Sequence, residues 1–327
     1  MGTRPTTRLR RAVMAGGELP VALVGVHNAL VSRLAERAGF DGGWASSLEV
    51  SAVHGLPDRN LLGFAEMLAA SRSIAAASDL PLVVDADNGY GTVETWIRAV
   101  RDFSGSGIAG VCVEDSAFPK RNSFLGGGPR DLEDVESFAE KIAEARRATL
   151  DPDFLVIART EALIAQEGMD AALARAVRYA DAGADLVLLH TRQKDGGEAL
   201  EVARRWTHPA PLVSIPTAYP HISLRALGRL GYRMAIYANQ LLRATVSTLD
   251  QTLAAIRSGE GLTQLERRIA PMAELLDLSE DFRRSGQPGH PAGRPGQPAD
   301  QTAQAADLPV QAADRPVQAP DRTGQPV

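Results

Sequence analysis

The chain has 327 residues, 44% hydrophobic and 23% charged, with 35 Lys and Arg against 40 Asp and Glu for a net charge of −5. That balance excludes a global positive field for nucleic acid or an anionic membrane surface, and the single cysteine, Cys112, excludes a disulfide scaffold and a cysteine-based zinc cluster. No apolar stretch approaches the ~20 residues of a membrane span, and the Arg-bearing start has no apolar h-region behind it, so a cytoplasmic enzyme acting on a small molecule is expected.

From residue 21 onward, short apolar runs alternate with longer amphipathic stretches, the pattern of repeated βα units on a parallel sheet. Eight runs read as strands: VALVG (21–25), GGWAS (42–46), LVVDAD (82–87), AGVCVED (109–115), FLVIAR (154–159), ADLVLLH (184–190), PLVSI (211–215) and MAIYA (234–238). Between them lie helix-like segments such as 29–39, 135–148 and 170–183, with apolar residues at i, i+3 and i+4. Eight strands with interleaved helices predict an α/β (β/α)8 TIM barrel rather than an open doubly wound sheet. No GxGxxG or Walker-type loop follows the first strand, which removes the main support for dinucleotide or P-loop binding. Composition changes near Ser285. From there to Val327 the chain has no aromatic residue and carries a proline-bearing near-repeat, QAADLPV, QAADRPV, QAPDRTG. Residues 1–284 are therefore expected to form the catalytic domain and 285–327 a disordered tail rather than a coiled coil.

In a parallel barrel the active site is built from the carboxyl ends of the strands and the loops after them. Here those ends carry Ser46 and Ser47, Asp85 and Asp87, Glu114 and Asp115, Arg159, His190 and Asn239. Asp85 and Asp87 are expected to share a face of the third strand, beside Glu114 on the fourth. Three such carboxylates repel one another, so a divalent cation is the natural compensator, and an all-oxygen set suits Mg²⁺ or Mn²⁺ rather than zinc. The competing reading, helix caps or pairing with rim arginines, suits one carboxylate better than three. Arg159 and His190 stand opposite the acids and complete a pocket for a small, multiply charged anion. Their structural alternatives are a salt bridge from Arg159 to Glu161 or Glu114, and a satisfied core histidine. Cys112, inside an apolar run, is expected to pack rather than react. The segment FPKRNSFLGGGPRDL (118–132) is long for a βα loop and holds Lys120, Arg121, Asn122 and Ser123 ahead of three glycines. It reads as a mobile cover that brings donors onto a bound anion, its other reading being a solvated surface loop.

Together, WASSLEVSA (44–52), the Pro57-Asp58 pair, DADNGYG (85–91), VEDSAFPKRNS (113–123), VIARTEALIA (156–165), His190-Thr191-Arg192 and IPTAYP (215–220) resemble the phosphoenolpyruvate mutases of the isocitrate lyase superfamily, over about residues 20 to 278. The resemblance implies a Mg²⁺-dependent barrel that forms a homotetramer or homodimer, with C-terminal helices swapped between subunits; residues 241–259 and 263–276 would supply them. Carried over by position, Asp85 would bind the metal directly, and Asp58, Asp87 and Glu114 would hold its waters. Ser46 and the amides of Ser47 and Leu48 would receive the substrate carboxylate. Arg159, His190, Asn122 and Ser123 would surround the phosphoryl group, and Lys120 would belong to the gating loop. The implied reaction interconverts phosphoenolpyruvate and phosphonopyruvate. The alternative is the sister phosphonopyruvate hydrolase, which carries Thr where Asn122 stands but resembles TRQK (191–194) and IPTAYP at least as well. A carbon–carbon lyase is disfavoured because the gating loop has no cysteine, and a non-catalytic barrel because the polar set is intact. Two positions depart from the family pattern: Ser116 stands for a usual Lys and Ser47 for a common Gly.

Overall fold

The structure is a computed structural model that describes residues 3–124 and 130–280. Its elements run α1 (Pro5–Ala15), β1 (Val21–Gly25), α2 (Ala29–Arg37), β2 (Gly42–Ala45), α3 (Ser47–Val53), α4 (Phe64–Ala75), β3 (Leu82–Asp85), α5 (Val93–Ser104), β4 (Gly110–Glu114) and α6 (Val135–Ala148). They continue with β5 (Leu155–Thr160), α7 (Met169–Asp181), β6 (Leu186–Leu189), α8 (Gly197–Arg205), β7 (Leu212–Ser214), α9 (Leu224–Arg229), β8 (Tyr232–Tyr237), α10 (Gln240–Arg257), α11 (Thr263–Glu266) and α12 (Met272–Glu280). Each strand pairs in parallel with its sequence neighbour, and β8 closes onto β1 through Val21↔Met234 to Val24↔Tyr237. The fold is the predicted TIM barrel.

Strand alternation divides the apolar residues into two cores. Leu23, Trp44, Val83, Cys112, Ile157, Leu188, Val213 and Ile236 point inward and form one buried cluster, while Val24, Val84, Val111, Val156 and Val187 face the helices. Cys112 is thus a packing residue, 1% exposed, and burial pushes its thiol well up. The same period of two carries this inward direction up each strand. Ser46 follows Trp44 by two, Asp85 follows Val83, Glu114 follows Cys112, Arg159 follows Ile157 and His190 follows Leu188. Register then fixes the neighbours: Glu114 lies opposite Arg159 on β4 and β5. The polar residues form the top layer of an otherwise apolar interior.

Helix starts follow local capping. Asp134 accepts from the amides of Glu136 and Ser137 at the head of α6, 3.1 and 3.0 Å. At the other end of the barrel, α1 buries Leu9 and Val13 against the interior cluster. Two expectations need correction. The strand containing Asp85 ends there, and Asp87 adopts a left-handed backbone (φ 50°), so it reaches the rim from a turn rather than by strand alternation. The segment 263–276 is not one helix: α11 ends at Glu266, and α12 starts after Pro271, which lacks the N–H needed to continue a preceding helix and whose carbonyl accepts from Glu274 N at 3.0 Å. The expected tail, 285–327, and the three glycines of the gating segment lie outside the described residues.

Candidate active site

All four predicted metal-site acids gather at the carboxyl rim, and each is buried: Asp58 8%, Asp85 7%, Asp87 4% and Glu114 2% exposed. Asp85 Oδ2 accepts from Ser47 Oγ at 3.0 Å and more weakly from Ser47 N at 3.4 Å, while its Oδ1 accepts from Asp87 N at 3.3 Å. Lys120 reaches into this group from the segment after β4. Its ammonium pairs with Asp58 Oδ1 at 2.9 Å, with Asp87 Oδ1, and donates to Ser47 Oγ at 2.9 Å. Burial and the neighbouring Asp85 and Asp58 charges push the Asp87 carboxyl up to about 6, against the downward pull of Lys120. The four surrounding acids more than offset burial and hold the Lys120 ammonium well above its ordinary range.

Both departures from the family pattern find partners here. The hydroxyl of Ser47 is shared between Asp85 and Lys120, and Ser116 Oγ donates to Glu114 Oε1 at 2.5 Å. The other Glu114 oxygen, Oε2, lies 3.2 Å from Arg159 Nη2 but has no aligned hydrogen bond.

Among the described residues, no three His, Cys, Asp or Glu side chains stand close enough together to hold a metal ion in this geometry. The Lys120 ammonium sits between Asp58 and Asp87. The donor set nevertheless fits a hard dication. It is all oxygen, it sets four carboxylates against the Lys120 ammonium and the Arg159 guanidinium beside Glu114, and Glu114 Oε2 has no aligned hydrogen-bond donor.

Beside the acids is a second buried cluster, centred on Glu161. Arg159 donates to it from Nε at 2.7 Å and approaches from Nη2 at 2.6 Å; His190 Nδ1 lies 2.7 Å from the same Oε1. Arg159 therefore does make both salt bridges offered as its structural alternative, with Glu161 and with Glu114. Burial alone would raise the Glu161 carboxyl, but Arg159 and His190 hold it well below the usual carboxylate range.

The segment Lys120–Phe124 lies folded over both clusters as a lid. Lys120 N donates to Asn60 Oδ1 at 2.5 Å, Asn122 Nδ2 to Asp58 Oδ2 at 2.7 Å, and Ser123 Oγ to Glu161 Oε2 at 2.6 Å. Arg130 binds Asn122 O and Glu161, and Arg192 reaches Ser123 O at 3.3 Å. Phe124 packs edge-on to His190, 6.3 Å between ring centroids. A bridge between Ser116 and Leu132 joins the two ends of the loop below.

Beneath the lid, a cavity of about 50 Å³ is lined by Ser46, Leu48, Asp85, Glu114, Asn122 and Arg159 among others. That space holds no more than a few waters, so a larger ligand needs Lys120–Phe124 moved aside. Every residue picked from the sequence for substrate or metal thus lies at this rim, and Ser46, Leu48, Ser123 and His190 line the cavity directly. Sequence reasoning missed Asn60, Arg130 and Arg192, and saw Glu161 only as a partner for Arg159. Their roles come from the fold of the lid, for which the sequence carries no spacing signal.

Comparison with known proteins agrees with this geometry. A family model described as phosphoenolpyruvate phosphomutase matches residues 10–257. The chain is 38% identical over 276 residues to the phosphonopyruvate hydrolase of Variovorax sp. (strain Pal2), covering 84% of this chain and 94% of that one. Among solved structures, the phosphoenolpyruvate phosphomutase from Streptomyces platensis subsp. rosaceus is similar with a TM-score of 0.82 at 43% identity, covering 85% of this chain and 97% of that one. A phosphonopyruvate hydrolase in complex with oxalate and Mg²⁺ is similar with a TM-score of 0.80 at 35% identity, covering 86% and 97%. Matched over most of its barrel by that model, and with mutase and hydrolase relatives well above 30% identity, the chain belongs to the phosphoenolpyruvate phosphomutase family of the isocitrate lyase superfamily.

Proposed function

We propose that the protein interconverts phosphoenolpyruvate and phosphonopyruvate with the aid of Mg²⁺, as a mutase. One P–O bond to the enol oxygen breaks, one P–C bond to the methylene carbon forms, and the enol becomes a ketone. The observation that carries this reading is Asn122, held on the inner side of a lid pinned by Arg130 and Arg192 and bonded to Asp58 at the edge of the acid cluster. A phosphoryl group in flight between two atoms of one substrate needs positioning, charge stabilisation and exclusion of water. Arg159 and His190 offer fixed donors, Ser123 stands beside them with its hydroxyl accepting from Arg159 Nη2 at 2.9 Å, Asn122 joins them in the cavity wall, and Phe124 closes the edge. Asp85 would hold the dication directly, with Asp58, Asp87 and Glu114 around it. That ion would supply a Lewis acid for the enolate and carboxylate oxygens. Ser46, Ser47 and Leu48, at the end of β2, would receive the carboxylate.

The hydrolase is the second reading. It is supported by the TRQK and IPTAYP segments and by the relative from Variovorax sp.. Incubation with Mg²⁺ and phosphonopyruvate, followed by phosphorus NMR, separates the two. Phosphoenolpyruvate appearing first supports the mutase; phosphate with pyruvate and no enol phosphate supports the hydrolase; no turnover of either kind rejects both. Asn122→Ala is expected to lower phosphoryl transfer by about 10²-fold while leaving Mg²⁺ affinity within a few-fold, because the acids stay in place.

We also infer self-association through the C-terminal helices. Val246, Leu249, Leu253 and Ile256 form an apolar stripe along α10, each more than half exposed, and Met272 and Leu276 on α12 are exposed as well. Light scattering on the eluting protein should give the mass of a dimer or tetramer.

A further inference from the structure

The site described so far draws on β2 to β6 and the lid. The turn after β7 and the start of α10 after β8 close the ring, and each presents a polar side chain without a described role. Thr217 Oγ1 and Asn239 Oδ1 are both shielded from solvent, and neither has a hydrogen-bond partner among the described residues. Both line the cavity beneath the lid, and both also line the wider cleft of about 960 Å³ outside it. They therefore stand at the neck between the two, together with Leu48, Asn122 and Phe124.

Asn239 is the more telling of the pair. It occupies the N-cap of α10, where an Asn side chain ordinarily accepts from an amide of the first turn. Here it makes no cap bond, and its own amide is instead satisfied by Gln240 Oε1 at 3.1 Å. A polar group turned away from an available partner and left buried costs about 1–3 kcal/mol unless something else meets it. The neighbours of this pair in the cavity, Ile215 and Ala238, are apolar and offer nothing. Around the ring, β7 and β8 lead through β1 to Ser46 and Leu48 on the β2 side, away from Glu161 and its cations.

We propose that Thr217 and Asn239 hydrogen-bond the carboxylate end of the substrate, completing the ring opposite Arg159. The hydroxyl donates directly, and a half-turn of the Asn239 carboxamide presents Nδ2 in place of Oδ1. The assignment rests on the reading of the substrate as a three-carbon carboxylate carrying phosphorus.

Oxalate with Mg²⁺, titrated calorimetrically, probes this end of the site without turnover. Thr217→Val and Asn239→Leu are each expected to weaken oxalate binding and raise the KM for phosphonopyruvate by about tenfold, with a smaller change in kcat. Thr217→Ser, which keeps the hydroxyl, should stay within about twofold of the wild type on the same hydrogen-bond argument. Unliganded Thr217→Val should melt at or above the wild-type temperature, since it removes an unpartnered buried hydroxyl without changing the shape. Unchanged oxalate affinity overturns the proposal, even with a raised KM, and so does a Ser variant as impaired as the Val variant. A wild-type protein that binds oxalate but turns over no phosphonopyruvate sinks the functional reading instead, and the oxalate series still decides the role of this pair.

Discussion

The two ends of the barrel use the same ionic residue types to opposite purpose. At the amino end, Arg4 pairs with Asp151 at 2.8 Å and Asp153 at 3.1 Å, and Arg10 with Asp185 at 2.8 Å; the arginine side chains are 57% and 28% exposed. At the carboxyl end, Lys120, Arg159, Glu161 and four further acids are buried at 9% or less. Exposed pairs contribute up to about 1 kcal/mol each, and water screens them. Buried pairs cost desolvation that their attraction rarely recovers in full, so a dense cluster of them is a poor way to stabilise a fold. Among the described residues this cluster stands at the carboxyl end, in the layer directly above an apolar interior, where the substrate is proposed to bind.

The largest effect is expected from Asp85→Ala. Turnover should fall on the order of 10³-fold, because the carboxylate proposed to hold the dication directly is lost. Melting temperature should hold or rise, since one of four mutually repelling acids is gone. Loss of folding together with activity would mean that the carboxyl rim is structural after all, and the contrast between the ends would disappear.

Glu161→Gln is next. Its carboxylate balances Arg159 and His190 and anchors Ser123, so neutralising it in place leaves a buried guanidinium undercompensated, at a cost of about 3 kcal/mol in urea unfolding. The sign of its pH dependence follows from the depressed native pKa. Ionised Glu161 contributes stability that is full above the unfolded carboxyl pKa and is lost as pH falls through the native one. The wild type should therefore lose more stability than the variant as pH is lowered below about 4.5. Parallel acid limbs for the two proteins would show that Glu161 carries no special charge balance.

Much of this was legible in residue order, and the rest was not, for physical reasons. The predicted strand 21–25 and helix 135–148 coincide with β1 and α6, because an alternating or 3.6-residue apolar period leaves one choice of face. The last strand starts earlier than the run MAIYA, at Tyr232, because the exposed Arg233 interrupts its apolar reading. The acids, Arg159 and His190 could be found at strand ends since topology alone carries those ends to one rim. Glu161 lies one residue beyond its strand and looks like any helix-approaching acid; its importance arises from Ser123 and Arg130, which the lid folds onto it from a distant stretch of chain. Asn239 was visible as a strand-end polar residue, but that it declines its capping bond is a fact of backbone geometry.

The smallest effect tests the amino end. Arg4→Ala removes two pairs at once, yet should cost no more than about 1 kcal/mol, because Arg4 is mostly in water and α1 is held chiefly by Leu9 and Val13, each 1% exposed. Leu9→Ala, by contrast, should cost about 2–5 kcal/mol by leaving a cavity under the barrel. Both variants should keep the wild-type KM for phosphonopyruvate, since the apolar layers from Leu23 to Ile157 separate them from the rim. A KM shift of tenfold in Arg4→Ala would show that charge at the amino end is felt at the acids after all, through the field of the whole barrel rather than through contact.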